Sequence, residues 1–151
     1  VVYKRRITTE CSNVEPLLTG SVLAADFGQI GREICYFQSF YHTQPRVFLA
    51  YDRLAFAGRE DPELRITFDT GLRWRDTALD LRAGDFGAPI IGSDAVLMEL
   101  KLPGVCPLWF SRMLSELGVF PISFSKYGEV YSRHILAKAS EQIKKEALFC
   151  A

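Results

Sequence analysis

Wherever this sequence reads as β-strand, the side chains that alternate with the apolar ones are long and charged instead of small and polar. Residues 1–8 (VVYKRRIT) are β-branched and extended, with Lys4 and Arg6 on one face and Tyr3 and Arg5 on the other. Residues 46–57 (RVFLAYDRLAFA) form a long strand pattern in which Arg53 stands among apolar neighbours. Residues 64–69 place Arg65 and Asp69 on one face. A tight break at Thr70 and Gly71 follows, and residues 72–77 place Arg73 and Arg75 together, so the two stretches read as paired or bent strands. Residues 95–102 (AVLMELKL) alternate cleanly, with Val96, Met98, Leu100 and Leu102 on one side and Leu97, Glu99 and Lys101 on the other. Two architectures satisfy such a pattern. One is an open sheet whose charged side is solvated. The other is a closed antiparallel barrel, apolar outside and lined by a hydrated basic channel.

Two features favour the channel. Arginine recurs where lysine or threonine would serve a solvated face, and its planar fork matches phosphate oxygens bidentately. These faces also gather more cations than anions, although the whole chain balances 18 Lys and Arg against 18 Asp and Glu. A cluster of that kind repels itself unless an anion or solvent compensates it, and a run of phosphates suits several forks in a row. The neutral total gives no extended positive field to draw in a nucleic acid, so nucleic acid is not an expected partner.

The helices and loops are set by spacing and by punctuation. Residues 13–19 read as a short helix closed by Gly20. Ile30, Ile34, Phe37 and Tyr41 recur at helical spacing in 29–41, an amphipathic helix whose apolar side needs a sheet to cover. Residues 81–92, rich in Gly and Asp, read as a loop. Pro107 opens a helix that ends at Gly118, and Ser123 and Ser125 offer N-cap hydroxyls for a helix running from Lys126 into the tail SEQIKKEALF. At 151 residues, 48% apolar and 24% charged, and without repeat or linker, the chain reads as one globular domain over 1–151. Its fold class reads as α+β, an antiparallel sheet either open or closed into a β-tunnel or barrel with helices packed on the outside.

Cys11, Cys35, Cys106 and Cys150 form no CxxC pair and are expected to be reduced and mostly packed. That favours a reducing compartment and a cytoplasmic location. No stretch is long and apolar enough to span a membrane. The sequence begins inside a strand pattern without Met, which reads as a piece of a longer domain.

Few residues elsewhere argue for chemistry. Glu99 among cations is either a salt-bridge partner for Lys101 or an arginine, or a ligand for Mg²⁺ or Mn²⁺ beside phosphate oxygens. His134 reads as a packed or surface histidine, and Ser111 and Cys106 have no adjacent His and Asp. Residues 84–92 match neither GxxxxGK[ST] nor GxGxxG.

Taken in order, VVYKRR, FLAYDRLAF, LRITFDTGLRWR, VLMELKLPG, PLWFSRML and SFSKYGEVY resemble the bacterial branch of the VTC-type (vacuolar-transporter-chaperone-type) polyphosphate polymerase domain. That family has the triphosphate tunnel metalloenzyme (CYTH-like) fold, and the match runs over 1–135. The resemblance implies an antiparallel tunnel that transfers the terminal phosphate of ATP to a polyphosphate chain with a divalent metal, Mn²⁺ or Mg²⁺. It aligns Lys4 and Arg6 with a KxR-like strand, Arg53 with a YxR strand, Arg65 with an RIxxDT strand, Glu99 and Lys101 with an ExK pair and Lys126 with the SKY lysine. The implied substrate-binding set is thus Lys4, Arg6, Arg53, Arg65, Arg75, Lys101 and Lys126. Arg53, Arg65, Lys101 and Lys126 are its catalytic members, and Glu99 is the metal ligand.

Two departures stand out. Ser123 occupies a position where fungal relatives carry a second lysine, and the family's strands that precede VVYKRR are absent. The expectation is an incomplete tunnel whose open edges invite a separate N-terminal piece or a second copy, and a membrane partner is a further expectation. A triphosphate hydrolase of the same fold and a non-catalytic polyphosphate or inositol-phosphate module are the competing readings.

Overall fold

The computed structural model describes residues 4–20 and 24–137, and the chain divides into two compact units, Val1–Pro45 and Arg46–Ala151. In the first unit residues 4–10 carry no regular structure, in place of the expected strand, whose residues 1–3 lie outside the described residues. Arg5 forms an ion pair with Glu33 instead of joining a β-ladder. A 3₁₀ turn, Cys11–Asn13, leads into α1 (Val14–Thr19), which ends at Gly20 with φ +76°. There the left-handed cap donates its N–H to the Pro16 carbonyl. A second 3₁₀ turn, Ala24–Phe27, precedes α2 (Gly28–Tyr41), close to the helix that the apolar spacing predicts. Leu17 is buried, and the Cys35 thiol donates to its carbonyl at 3.2 Å.

The second unit is built on an antiparallel sheet. Strand β1 (Phe48–Ala57) pairs along its length with β2 (Arg65–Arg75). The other edge of β2 is shared by two short strands: β3 (Ala88–Pro89) lies against Arg73 and Trp74, and β4 (Leu97–Lys101) against Arg65 to Asp69. The 81–92 segment is therefore more than a loop. It holds a 3₁₀ turn, Leu81–Ala83, and then adds β3 to the sheet. The sheet is open, and among the described residues the outer edges of β1 and β4 have no strand partner. No closed barrel is formed by these residues, an outcome that the expectation of an incomplete tunnel allows.

Residues 65–75 form one continuous strand, the bent alternative of the two that the sequence leaves open. Gly71 and Leu72 make a bulge: Ala50 pairs with Arg73 and Asp52 with Thr70, so these two residues stand against Tyr51 alone and β2 carries one extra residue. Gly71 sits at φ +56°, which a glycine adopts without strain.

The bulge sets which residues share a face. Val47, Leu49, Leu72, Trp74 and Leu97 form an apolar half-face covered by Phe124, Val130 and Ile135, with Leu72, Trp74, Ile90 and Val130 buried at its centre. Helix α3 (Leu108–Glu116) buries Phe110, and α4 (Lys126–Val130) runs on into a π-helical turn, Tyr131–Ile135. His134 stacks on Trp74 with ring centroids 4.6 Å apart, so it is a packing residue. The remainder of the predicted final helix, from residue 138, lies outside the described residues. Cys11, Cys35 and Cys106 are free thiols; Cys11 is exposed and the other two are half-buried.

Candidate functional site

Beyond the apolar half-face, the same side of the sheet turns polar. Arg53 on β1 lies directly opposite Asp69 on β2, and the alternation brings Tyr51, Thr67, Arg65, Glu99 and Lys101 to the same side. Lys126 reaches this side from α4. The helix begins where it does because the Ser125 hydroxyl accepts from the Gly128 N–H at 3.1 Å, an N-cap that puts Lys126 in the first turn. Packing of Phe124 against the core fixes the approach of this segment.

Asp69 is the centre of the arrangement. Its carboxylate has no exposed surface and accepts from Arg53 Nε at 2.6 Å and Arg53 Nη2 at 2.7 Å, a bidentate fork, while Lys126 Nζ lies 2.7 Å from Oδ2. Hydrogen bonding by Arg53, with help from Lys126, holds the Asp69 carboxyl below its ordinary pKa against the opposing effect of burial. The same pairing raises the Arg53 pKa further. Both cations also lean on the Tyr51 ring, Lys126 Nζ at 4.5 Å from its centroid and the Arg53 guanidinium carbon at 4.9 Å.

The far end of the face is looser. Arg65 and Lys101 are direct cross-strand neighbours, a like-charge juxtaposition that is unfavourable without anions. Arg65 is met by Glu63 at 3.0 Å, and Lys101 by Glu99 at 3.7 Å. Glu99 also lies 3.7 Å from Arg53, so it sits between two cations without a close hydrogen bond to either. The Thr67 hydroxyl beneath this region is buried and has no hydrogen-bond partner among the described residues.

The face is therefore less one-sided than the strand pattern suggests, since Glu63, Asp69 and Glu99 each answer a cation. Among the described residues no three His, Cys, Asp or Glu side chains converge as a metal site. Both oxygens of Asp69 are already engaged by its two cations, and Glu99 offers a single ligand. These residues do not form a self-sufficient site for Mn²⁺ or Mg²⁺.

The structure brings Arg53, Arg65, Glu99, Lys101 and Lys126 to one face, as the sequence leads one to expect. Arg75 is a correction. The bulge at Gly71 turns Arg73 and Arg75 to the opposite side, where Arg75 donates to the carbonyls of Ala78, Asp80, Gly84 and Phe86 and lies between the Phe48 and Phe86 rings. It is a buried clamp for the 78–86 loop, with four of its five donors engaged. Arg73 likewise pairs with Asp52 at 3.1 Å and with Asp85. Lys4 and Arg6 belong to the first unit and are exposed in its irregular opening stretch. Asp69 and Tyr51 were absent from the candidate set. Each stands two residues from an expected cation or shares its face, Tyr51 before Arg53 and Asp69 with Arg65, and that spacing was the available signal.

One face of the antiparallel sheet thus presents Arg53 and Lys126 anchored together on Asp69. The family model of the VTC domain matches residues 1–134, and the chain belongs to that family. Membership is consistent with a polyphosphate-related function. No curated protein and no solved structure matches the chain. No helix among the described residues is long and apolar enough to cross a membrane.

Proposed function

We propose that this chain is the larger, C-terminal part of a polyphosphate polymerase domain, of the bacterial branch and the triphosphate tunnel fold, working in the cytoplasm. In this reading it transfers the terminal phosphate of ATP to a growing polyphosphate chain. The observation that carries the reading is the pair of cations, Arg53 and Lys126, fixed side by side on the buried Asp69 carboxylate with N–H donors left over. Arg65 and Lys101 extend the cationic track along the face, and the open sheet edges are where the remaining walls of a tunnel, or a second copy, would pair.

Phosphoryl transfer needs positioning and charge neutralisation more than covalent chemistry by the protein. The terminal oxygen of the acceptor phosphate, already ionised, attacks the γ-phosphorus; the bond from that phosphorus to the β-bridging oxygen breaks, and ADP leaves. Arg53 and Lys126 hold the transferring region, and Arg65 and Lys101 hold the chain that flanks it. Lys4 and Arg6 are proposed as further phosphate contacts. A divalent ion, Mn²⁺ or Mg²⁺, would be held by Glu99 together with phosphate oxygens of the substrate.

The test is incubation of the chain, alone and with any separate N-terminal piece, with γ-labelled ATP, divalent metal and a polyphosphate primer. Label in polyphosphate together with ADP is expected, and Lys126→Ala should abolish it. Label released as free phosphate would make the protein a hydrolase, and tight triphosphate binding without turnover would make it a binding module.

A further inference from the structure

Arg53 has five N–H donors. The Asp69 carboxylate takes Nε–H and one Nη2–H, which leaves both Nη1 protons and one on Nη2. Lys126 has three, and one is directed at Asp69 Oδ2, 2.7 Å away. The two cationic heads are therefore not independent: one carboxylate, itself fully enclosed, fixes where the free donors of both point. The Tyr51 ring supports both heads from the side and limits their swing. Among the described residues the second anion nearest Arg53 Nη2 is Glu99, distant at 3.7 Å, so its outer donors stay open to a ligand.

We propose that Asp69 is the positioning residue of the phosphate site: it sets the spacing of Arg53 and Lys126 so that one phosphate group is held jointly by both. The proposal rests on the reading that this face takes phosphate chains. Asp69 itself touches no substrate and acts through its two partners. A carboxylate beside an anion site is electrostatically adverse, since it repels the ligand. It is tolerable there because two cations whose positions are fixed bind a phosphate better than two that must be ordered by it.

Charge and positioning predict opposite signs for one substitution. Asp69→Asn removes a negative charge from the site, so on charge alone the variant should bind inorganic triphosphate more tightly. If Asp69 positions the donors, the variant binds more weakly despite the added net positive charge, by about tenfold or more. The measurement is calorimetric titration of the whole chain with inorganic triphosphate at fixed ionic strength. Arg53→Lys is run beside it, because it keeps the charge but cannot span both carboxylate oxygens, and a comparable loss is expected. It also decides the matter should Asp69→Asn fail to fold. Triphosphate binding by Asp69→Asn that is equal to or tighter than wild type, or wild-type binding by Arg53→Lys, overturns the positioning role. Absence of binding by the wild-type chain instead overturns the underlying reading of the face.

Discussion

A single side chain, Asp69, links stability to the site. It is fully enclosed, and its two partners are partly exposed, with Lys126 at 17% and Arg53 at 33%. The folded carboxyl titrates below its ordinary value of 3.8, because Arg53 and Lys126 hydrogen-bond its ionised form. That form therefore contributes its full stability above the ordinary value, and the contribution is lost as pH falls toward the folded titration point. Asp69→Asn, which has no such titration, is expected to be destabilised by about 3 kcal/mol near neutrality, the low end of the range for breaking an enclosed pair because its partners are partly exposed. The gap between wild type and variant should narrow as pH falls from neutrality through the acid range below the ordinary carboxylate value. Thermal melts of both proteins over that range check it. A gap independent of pH would mean that Asp69 stabilises the fold by shape and not through its charge.

Among the elements, one inserted residue decides which arginines face the site. Alternation along 46–57 and 95–102 was legible because those strands run without interruption, and α1, α2 and α3 were legible from their spacing and their closing glycines or opening proline. The Ser125 cap likewise marked the start of α4. Strand β2 was legible only as paired or bent, because Thr70 and Gly71 carry the residues of a turn but lead into a bulge, and a period of two has no means of registering an insertion. Parity beyond the bulge is reversed, so Arg75 leaves the cationic face. Strand β3 escaped notice for another reason. Its two residues pair because Gly87 lets the backbone come close, an added Cβ there lying 2.5 Å from the Trp74 carbonyl oxygen, and proximity of that kind leaves little trace in a pattern. At Gly71 a side chain would have to adopt φ +56° and its Cβ would lie 2.9 Å from Asp52 Oδ2, the far end of a chain that can move but is paired with Arg73. Gly71→Ala is thus expected to cost about 1 to 2 kcal/mol, mostly from the left-handed backbone. Urea unfolding should show a lower midpoint with an unchanged slope; an unchanged midpoint would mean that the bulge is not held at this position.

For the whole molecule, charge is the property that separates polyphosphate from other phosphate polymers. The chain sums to zero, and on the candidate face Arg53, Arg65, Lys101 and Lys126 stand against Glu63, Asp69 and Glu99. Affinity for duplex DNA comes from neutralising many phosphates over an extended surface, and each contact releases counterions. A face whose cations are mostly paired internally gains little from that mechanism. A short, flexible phosphate chain differs, because it can present successive oxygens to the outer donors of Arg53 and Lys126 and displace the loosely held Glu99 from Lys101, which starts 3.7 Å away. Bound fluorescent polyphosphate is therefore expected to be displaced by inorganic triphosphate but not by duplex DNA at equal phosphate concentration, in a competition titration at about physiological salt, where non-specific DNA binding is already weak. Displacement by DNA at matched concentration would mean that the face binds phosphate backbones in general, and the case for polyphosphate as its particular ligand would then rest on family membership alone.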